Sequence, residues 1–369
     1  MRDPYRILVW GPGGLGKVAI WETTQTPALE LVGVRTYSED KAGVDAGELI
    51  GIEPLGVTLT ADPGEALAID CDCVVYTARD LGGFNTLDEI VSILEAGRNV
   101  VTPLPFHNVE LFEPGVAEKL QQACERGGSV FHASGIDPDA ISERVLIGLT
   151  GLCADIDHLE LREQWELDTV VPELIGIVGI GRDVEEAKQA GFADAISTVF
   201  LNSIGRSVEQ ALGITYERVE ETHDYIPAPR DIESTNVTIK AGTVGRVTHS
   251  FKGWVEGKGP GPFFTMEYNW FIGHEMLPEG IQPDQYWLIS IEGRPSLKVA
   301  IDLKSSLDAA ADRFYSIGNM QTDPGYHGIV APCLQAIPLM LDHKPGVMPS
   351  VAPAMRWVQD LRALAPRTG

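Results

Sequence analysis

Short apolar runs separated by amphipathic stretches dominate the first third of the chain. Tyr5–Trp10 (YRILVW) and Leu29–Val34 (LELVGV) have strand length, and Cys73–Ala78 (CVVYTA) is continuously apolar. An unbroken apolar run this short predicts a strand buried on both faces, as in a parallel sheet covered by helices. Between the runs the pattern turns helical. In TLDEIVSILEAG, Ile90, Ile93 and Leu94 share a face, Thr86 and Glu89 have capping-box spacing, and Gly97 supplies the stop. Asn99–Thr102 (NVVT) is the next strand. A helix follows from Pro114 to about Arg126, then the run Ser129–Ala133 (SVFHA). Repeated strand and helix units predict an α/β fold with a doubly wound parallel sheet.

After SGIDPDAISERV the rhythm changes. Asp137 before Pro138 reads as an N-cap with proline at the first helical position. Period two then takes over. Leu297, Val299, Ile301 and Leu303 alternate with Lys298, Ala300 and Asp302, and Met266, Tyr268, Trp270 and Ile272 form one face. Such alternation predicts an α+β domain with a mainly antiparallel, open-faced sheet. A helical stretch from Val184 to Leu212 interrupts it, and a last helix-like segment runs from Ile329 to Leu341 across Pro332 and Pro338. The reading divides the chain into residues 1–135, a parallel-sheet domain; 136–328, an α+β domain; and 329–369, a C-terminal helical segment.

Composition narrows the function. The 369 residues are 44% hydrophobic, ample for two cores, and the net charge is -25. That charge argues against nucleic acid and against an anionic membrane surface as partners. No apolar stretch approaches the ~20 residues needed to span a bilayer. The N-terminus carries Asp3 and Pro4 before a short apolar run, unlike a signal peptide, so the expected location is cytoplasmic. Five cysteines, Cys71, Cys73, Cys124, Cys153 and Cys333, show no C-x-x-C spacing, and no metal site is expected.

Chemistry enters at VWGPGGLGKV. Gly11, Gly13 and Gly16 form G-x-G-x-x-G between a strand and a helix, with Gly14 and Leu15 opening that helix. Gly11 makes the turn, Gly13 lets the backbone approach a pyrophosphate, and Gly16 permits helix-to-strand packing. The same run is nearly a P-loop, but Val18 follows Lys17 where a Ser or Thr would hold Mg²⁺, which disfavours a triphosphatase. At the end of the second strand, Arg35, Thr36 and Ser38 precede Glu39 and Asp40, and Lys41 follows. An arginine with hydroxyl neighbours suits a 2′-phosphate, so NADP is favoured with NAD as the alternative. Strand-end residues Thr77, Ala78 and Thr102 complete the predicted cofactor set.

The loop motif DAGELIG (Asp45–Gly51), with the glycine turn before it and CVVYTA after, resembles the N-terminal domain of dihydrodipicolinate reductases. That family's paired histidines with a nearby lysine are absent. GRNVVT, SGIDPDAISERV, GIGR, AGTVGRVTHSFKGWVEGK and IVAPCLQAIPLMLDHKPGV together resemble the 2,4-diaminopentanoate dehydrogenase and native amine dehydrogenase family. The resemblance implies an NAD(P)-dependent oxidoreductase that interconverts a ketone plus ammonia with a primary amine. It also implies a homodimer, and a C-terminal segment that packs back on the first domain. The family places a glutamate shortly after the strand matching NVVT; here Leu104 and Pro105 stand there, and the nearest acid is Glu110.

Three residues are candidates for proton transfer. His107 lies past a strand end where open α/β sheets bind ligands, Tyr268 offers a phenol, and Glu163 offers a carboxylate from the second domain. The aromatic set Trp165, Phe263, Phe264, Tyr268 and Trp270 suggests a small-to-medium hydrophobic carbonyl or amine substrate. A cofactor-binding sensor without turnover is the rival reading, favoured by the missing glutamate.

Overall fold

A computed structural model describes residues 3–79, 86–111, 114–168, 170, 172–282, 286–308 and 314–349. Two compact units emerge, one from the described residues of Met1–Ala140 and Leu303–Val351, the other from Ile141–Asp302. In chain order the first unit opens with β1 (Tyr5–Trp10), α1 (Gly14–Gln25), β2 (Leu29–Arg35), α2 (Ala46–Ile50), β3 (Leu59–Thr60) and α3 (Pro63–Ala68). It continues with β4 (Cys73–Tyr76), α4 (Leu87–Glu95), β5 (Asn99–Thr102), α5 (Val116–Gly127) and β6 (Val130–Ala133). Asp45 caps α2 and also accepts the backbone N–H groups of Leu55 and Gly56, each at 2.8 Å, which pins the loop of the DAGELIG motif.

Two local expectations fail here. Thr86 does cap α4 but makes no capping bond, and Glu89 turns away to accept the hydroxyls of Tyr37 and Tyr76. Two phenol donors from other elements outcompete the local backbone N–H. Nor is Asp137 an N-cap: the backbone is non-helical through Asp137, Pro138 and Asp139. Asp139, fully buried at φ 110, accepts the Ser134 hydroxyl at 2.6 Å instead, and the helical winding that ends at Val145 tightens only after it. Gly97, by contrast, sits at φ 80 just past α4, the left-handed stop that the sequence implied.

The second unit runs through α6 (Leu146–Thr150), β7 (Asp155–Glu166), α7 (Pro172–Ile177), α8 (Val184–Gln189), α9 (Phe192–Ile196) and α10 (Ser203–Leu212). The helical stretch expected from Val184 to Leu212 is interrupted once, at Gly191 (φ 74), and from Phe192 to Leu212 it runs on through a π-helical segment over Ser197–Asn202. Then come β8 (Arg218–Pro227), β9 (Ile232–Glu233), β10 (Thr238–Ile239), β11 (Val244–Trp254), β12 (Phe264–Phe271), β13 (Trp287–Arg294) and β14 (Leu297–Ile301). Among the described residues six of these strands form one sheet, in the order β14-β13-β7-β12-β11-β8. The β7–β12 pair is parallel and the other neighbours are antiparallel. Along β7 and β12, Leu159, Leu161, Phe264 and Met266 are fully buried, while Glu160, Arg162, Thr265 and Glu267 on the opposite face are half-buried. Period two in the sequence is this difference between the faces.

The chain then re-enters the first unit with β15 (Tyr315–Ile317), β16 (Met320–Thr322), α11 (Pro324–Asp342) and β17 (Gly346–Val347). Strand β17 joins the sheet, giving seven parallel strands among the described residues in the order β17-β6-β5-β4-β1-β2-β3. Helix α11 begins at Asp323, whose carboxylate accepts Gly325 N–H at 2.7 Å, with Pro324 at the first helical position. Pro332 and Pro338 lie inside it without ending it. Val330, Cys333, Ile337 and Met340 join the core of Ile7, Val9, Val34 and Val75. Each side chain of this kind, fully buried, contributes about 1.5–3 kcal/mol, enough to offset the lost intrahelical bonds. Residues 350–369, the end of the predicted C-terminal segment, lie outside the described residues. No helix among the described residues is long and apolar enough to cross a membrane.

Candidate functional site

Strand order reverses between β1 and β4, and the glycine turn occupies that switch point. Gly11 has φ 93, and its missing Cβ would stand 2.8 Å from the Ala78 backbone. A Cβ on Gly16 would meet Gly11 O at 2.3 Å and Thr77 Oγ1 at 2.8 Å, whereas one on Gly13 would meet nothing within 4 Å. The turn is therefore closed by packing at Gly11 and Gly16 and open at Gly13. No side chain caps α1 and no acid occupies its first turn, so the N–H groups around Gly14 and Leu15 are left for an anion. These residues fit a pyrophosphate. Thr77 Oγ1 donates to Gly11 O at 2.8 Å and ties the end of β4 to the turn.

Basic and hydroxyl groups gather at the end of β2. Thr36 is buried, its N–H bonded to Thr60 O at 2.9 Å, and its hydroxyl accepts Ser38 N–H at 3.2 Å. Lys41 ends the short turn Glu39–Lys41. Burial, and then the charge of Lys41, hold the Lys17 ammonium below the usual lysine range. Arg35 is 8% exposed, its guanidinium 3.7 Å from the Tyr37 ring centroid and 5.5 Å from that of Trp10. Sequence reasoning missed Glu89 and Tyr37, which face this guanidinium, and Tyr76, whose hydroxyl donates to Glu89. Capping-box spacing had given Glu89 a local role that hid the long-range one. It missed Tyr326 of α11 as well, whose ring lies 3.2 Å from where a Gly14 Cβ would sit. No signal in the sequence brings residue 326 to residue 14.

Beyond β5, Thr102 is fully buried, with its hydroxyl on Tyr76 O at 2.8 Å and under Leu104 N–H at 3.1 Å. Pro103, Leu104 and Pro105 are half-buried, and Phe106 packs edge-on against Phe131 at 5.9 Å. His107 is 5% exposed. Among the described residues from Pro103 to Leu111, Glu110 is the single carboxylate, and it is exposed.

Glu163 and Tyr268 are register partners on adjacent strands of the second unit, and His107 belongs to the first. Glu163 is 6% exposed and accepts two indole N–H bonds, from Trp270 at 2.8 Å and Trp287 at 2.9 Å. Tyr268 is 1% exposed, its ring edge-on to Phe200 at 5.8 Å. The aromatic set divides. Trp165 and Tyr268 pack on Trp270, while Phe264 packs on Phe251 and Phe263 lies under Lys258. Next on the same face, His249 Nδ1 meets His223 Nδ1 at 2.8 Å within a ring of Phe192, Tyr225 and Trp270. Burial, and then His223, push the His249 imidazole down to about 3, so it is neutral.

A parallel sheet with an uncapped helix behind an open glycine turn, joined to a mixed-sheet unit, defines a Rossmann-type NAD(P)-dependent oxidoreductase. Comparison with known proteins refines this. Residues 5–92 match the dihydrodipicolinate reductase N-terminus, and residues 141–310 match the 2,4-diaminopentanoate dehydrogenase C-terminal domain. An amine dehydrogenase from Streptomyces virginiae is 30% identical over 80% of this chain and 84% of its own. A 2,4-diaminopentanoate dehydrogenase from Acetoanaerobium sticklandii is 23% identical over 74% and 71%. The solved amine dehydrogenase from Mycobacterium smegmatis shares the fold, with a TM-score of 0.73, 19% identity and 96% of each chain covered. The chain belongs to the amine dehydrogenase family.

Proposed function

We propose that the protein uses NADP(H), with NAD(H) as a weaker alternative, to transfer hydride to a C=O or C=N carbon of a small-to-medium hydrophobic compound. The observation that carries this reading is the loop after β5. Pro103, Leu104 and Pro105 present apolar surface where the family's glutamate would stand, and Glu110 points to solvent. With Glu110 the single carboxylate among the described residues of that loop, the loop offers no base beside the nicotinamide ring to activate ammonia or to collapse a carbinolamine. A carbonyl, or an imine formed beforehand, needs only hydride and one proton.

The cofactor supplies the hydride. The chain's part is to hold it. Gly11, Gly13, Gly14, Leu15 and Gly16 receive the pyrophosphate; Thr77, Ala78 and Thr102 fix the strand ends beside it. Arg35, Thr36, Ser38 and Lys41 take the 2′-phosphate. We assign proton donation to His107, an imidazole just past the end of β5, where open α/β sheets bind their ligands. Glu163, held by two indoles, and Tyr268 beside it are the second unit's alternative candidates for proton transfer, and the family resemblance supports a homodimer. NADPH oxidation with a panel of hydrophobic ketones and preformed imines, with and without ammonium, tests the proposal. Turnover independent of ammonium is expected. Ammonium-dependent turnover would overturn it, and tight NADPH binding without any turnover would favour a sensor.

A further inference from the structure

The end of β2 holds an ion pair that the proposed chemistry does not use. Arg35 is buried, yet its Nε and Nη1 have no hydrogen-bond partner among the described residues. Its Nη2 stands 3.9 Å from Glu89 Oε1, an ion pair too long to be a hydrogen bond. Glu89 Oε2 is turned the other way, accepting the hydroxyls of both Tyr37 and Tyr76, and those hydroxyls lie 3.3 Å apart. Burial, and then Glu89, push the Tyr37 phenol up to about 12 and the Tyr76 phenol higher still, so both remain donors. The two tyrosines thus hold a carboxylate beside a guanidinium that is only partly compensated.

We propose that Glu89 is an internal counter-ion of Arg35 that sets the cofactor preference, letting the site accept a dinucleotide without a 2′-phosphate and taxing one that carries it. The inference rests on the NADP(H) reading above. A buried guanidinium with one long ion pair has unmet capacity for an anion. A 2′-phosphate supplies that anion but brings its negative charge towards Glu89. A bare ribose brings none, and Glu89 alone then balances Arg35.

The test is direct titration of the purified full chain with NADPH and with NADH, read by calorimetry, so that no substrate or turnover is needed. Glu89→Gln keeps an oxygen for the tyrosine hydroxyls and removes the charge. It is expected to raise the NADPH-to-NADH affinity ratio roughly tenfold, the factor that about 1.4 kcal/mol of relieved repulsion gives. Arg35→Gln is expected to lower the ratio. Should Glu89→Gln fail to fold, Glu89→Asp retracts the carboxylate by one methylene and moves the ratio the same way by a smaller factor. A ratio unchanged or lowered in the folded Glu89 variant overturns the inference while leaving the cofactor reading intact. Failure of the wild-type protein to bind either dinucleotide overturns the cofactor reading instead.

Discussion

Two glycines three residues apart give opposite outcomes when a single methyl group is added. A Cβ on Gly16 lands 2.3 Å from a backbone oxygen and 2.8 Å from the Thr77 hydroxyl, so the turn itself has to move. Overpacking of this kind costs about 1–3 kcal/mol. In a unit of this size that lowers the melting temperature by roughly 2–12 °C. A Cβ on Gly13 meets no protein atom within 4 Å, and its φ of -77 suits alanine. Gly13→Ala is therefore expected to melt like the wild type, within about 0.5 kcal/mol. Its methyl fills the space where phosphate approaches the backbone, and losing one charge-assisted hydrogen bond costs about 1.5–3 kcal/mol. That weakens NADPH binding by roughly ten- to 150-fold. Thermal melts and calorimetric titration of both variants separate the two effects. Wild-type affinity in Gly13→Ala would mean that the pyrophosphate lies elsewhere, and an unchanged melt in Gly16→Ala would refute the packing of the turn.

Three further outcomes follow from Glu163, His249 and Asp45. Glu163→Gln turns one of the two oxygens facing Trp270 and Trp287 into an amide donor opposed to an indole N–H, and is expected to cost about 1–3 kcal/mol in denaturant unfolding; an unchanged midpoint would show that those bonds carry no weight. The His249 imidazole titrates near 3 in the fold against 6.5 when unfolded, so the unfolded chain takes up a proton that the native chain refuses. Stability should fall by about 1.4 kcal/mol per pH unit as pH drops from 6.5 towards 3, and His249→Gln should flatten that slope between pH 6.5 and 5. Burial raises the Asp45 carboxyl, but its N–H bonds from Leu55, Gly47 and Gly56 outweigh this and hold it low. Asp45→Ala is expected to lose about 0.5–1.5 kcal/mol and to free the loop at Leu55 and Gly56, visible as faster amide exchange there.

What was legible in the sequence was what neighbouring residues decide between them. Short apolar runs marked β1, β4 and β5, most clearly the continuous run in β4, because a strand covered on both faces favours apolar side chains at successive positions. Alternation in TMEYNWFI marked β12, and the glycine spacing marked the nucleotide turn, because each depends on contacts a few residues apart. Gly97 was readable for the same reason.

The tertiary structure decided everything that depends on a distant partner. Glu89 has the local spacing of a cap, yet its carboxylate serves Tyr37, 52 residues away. Glu163 reads as a carboxylate near a strand end, and only the strand order brings Trp270 and Trp287, 107 and 124 residues later, to bury it. Helix α11 was readable over Ile329–Leu341, but that Pro332 and Pro338 do not end it is decided by its packing on Ile7, Val9, Val34 and Val75, more than 200 residues earlier. Local pattern was enough to mark most strands and helices and the glycine turn between β1 and α1. The fold determined which charges are buried together, because their energies come from burial and partners that no local pattern encodes.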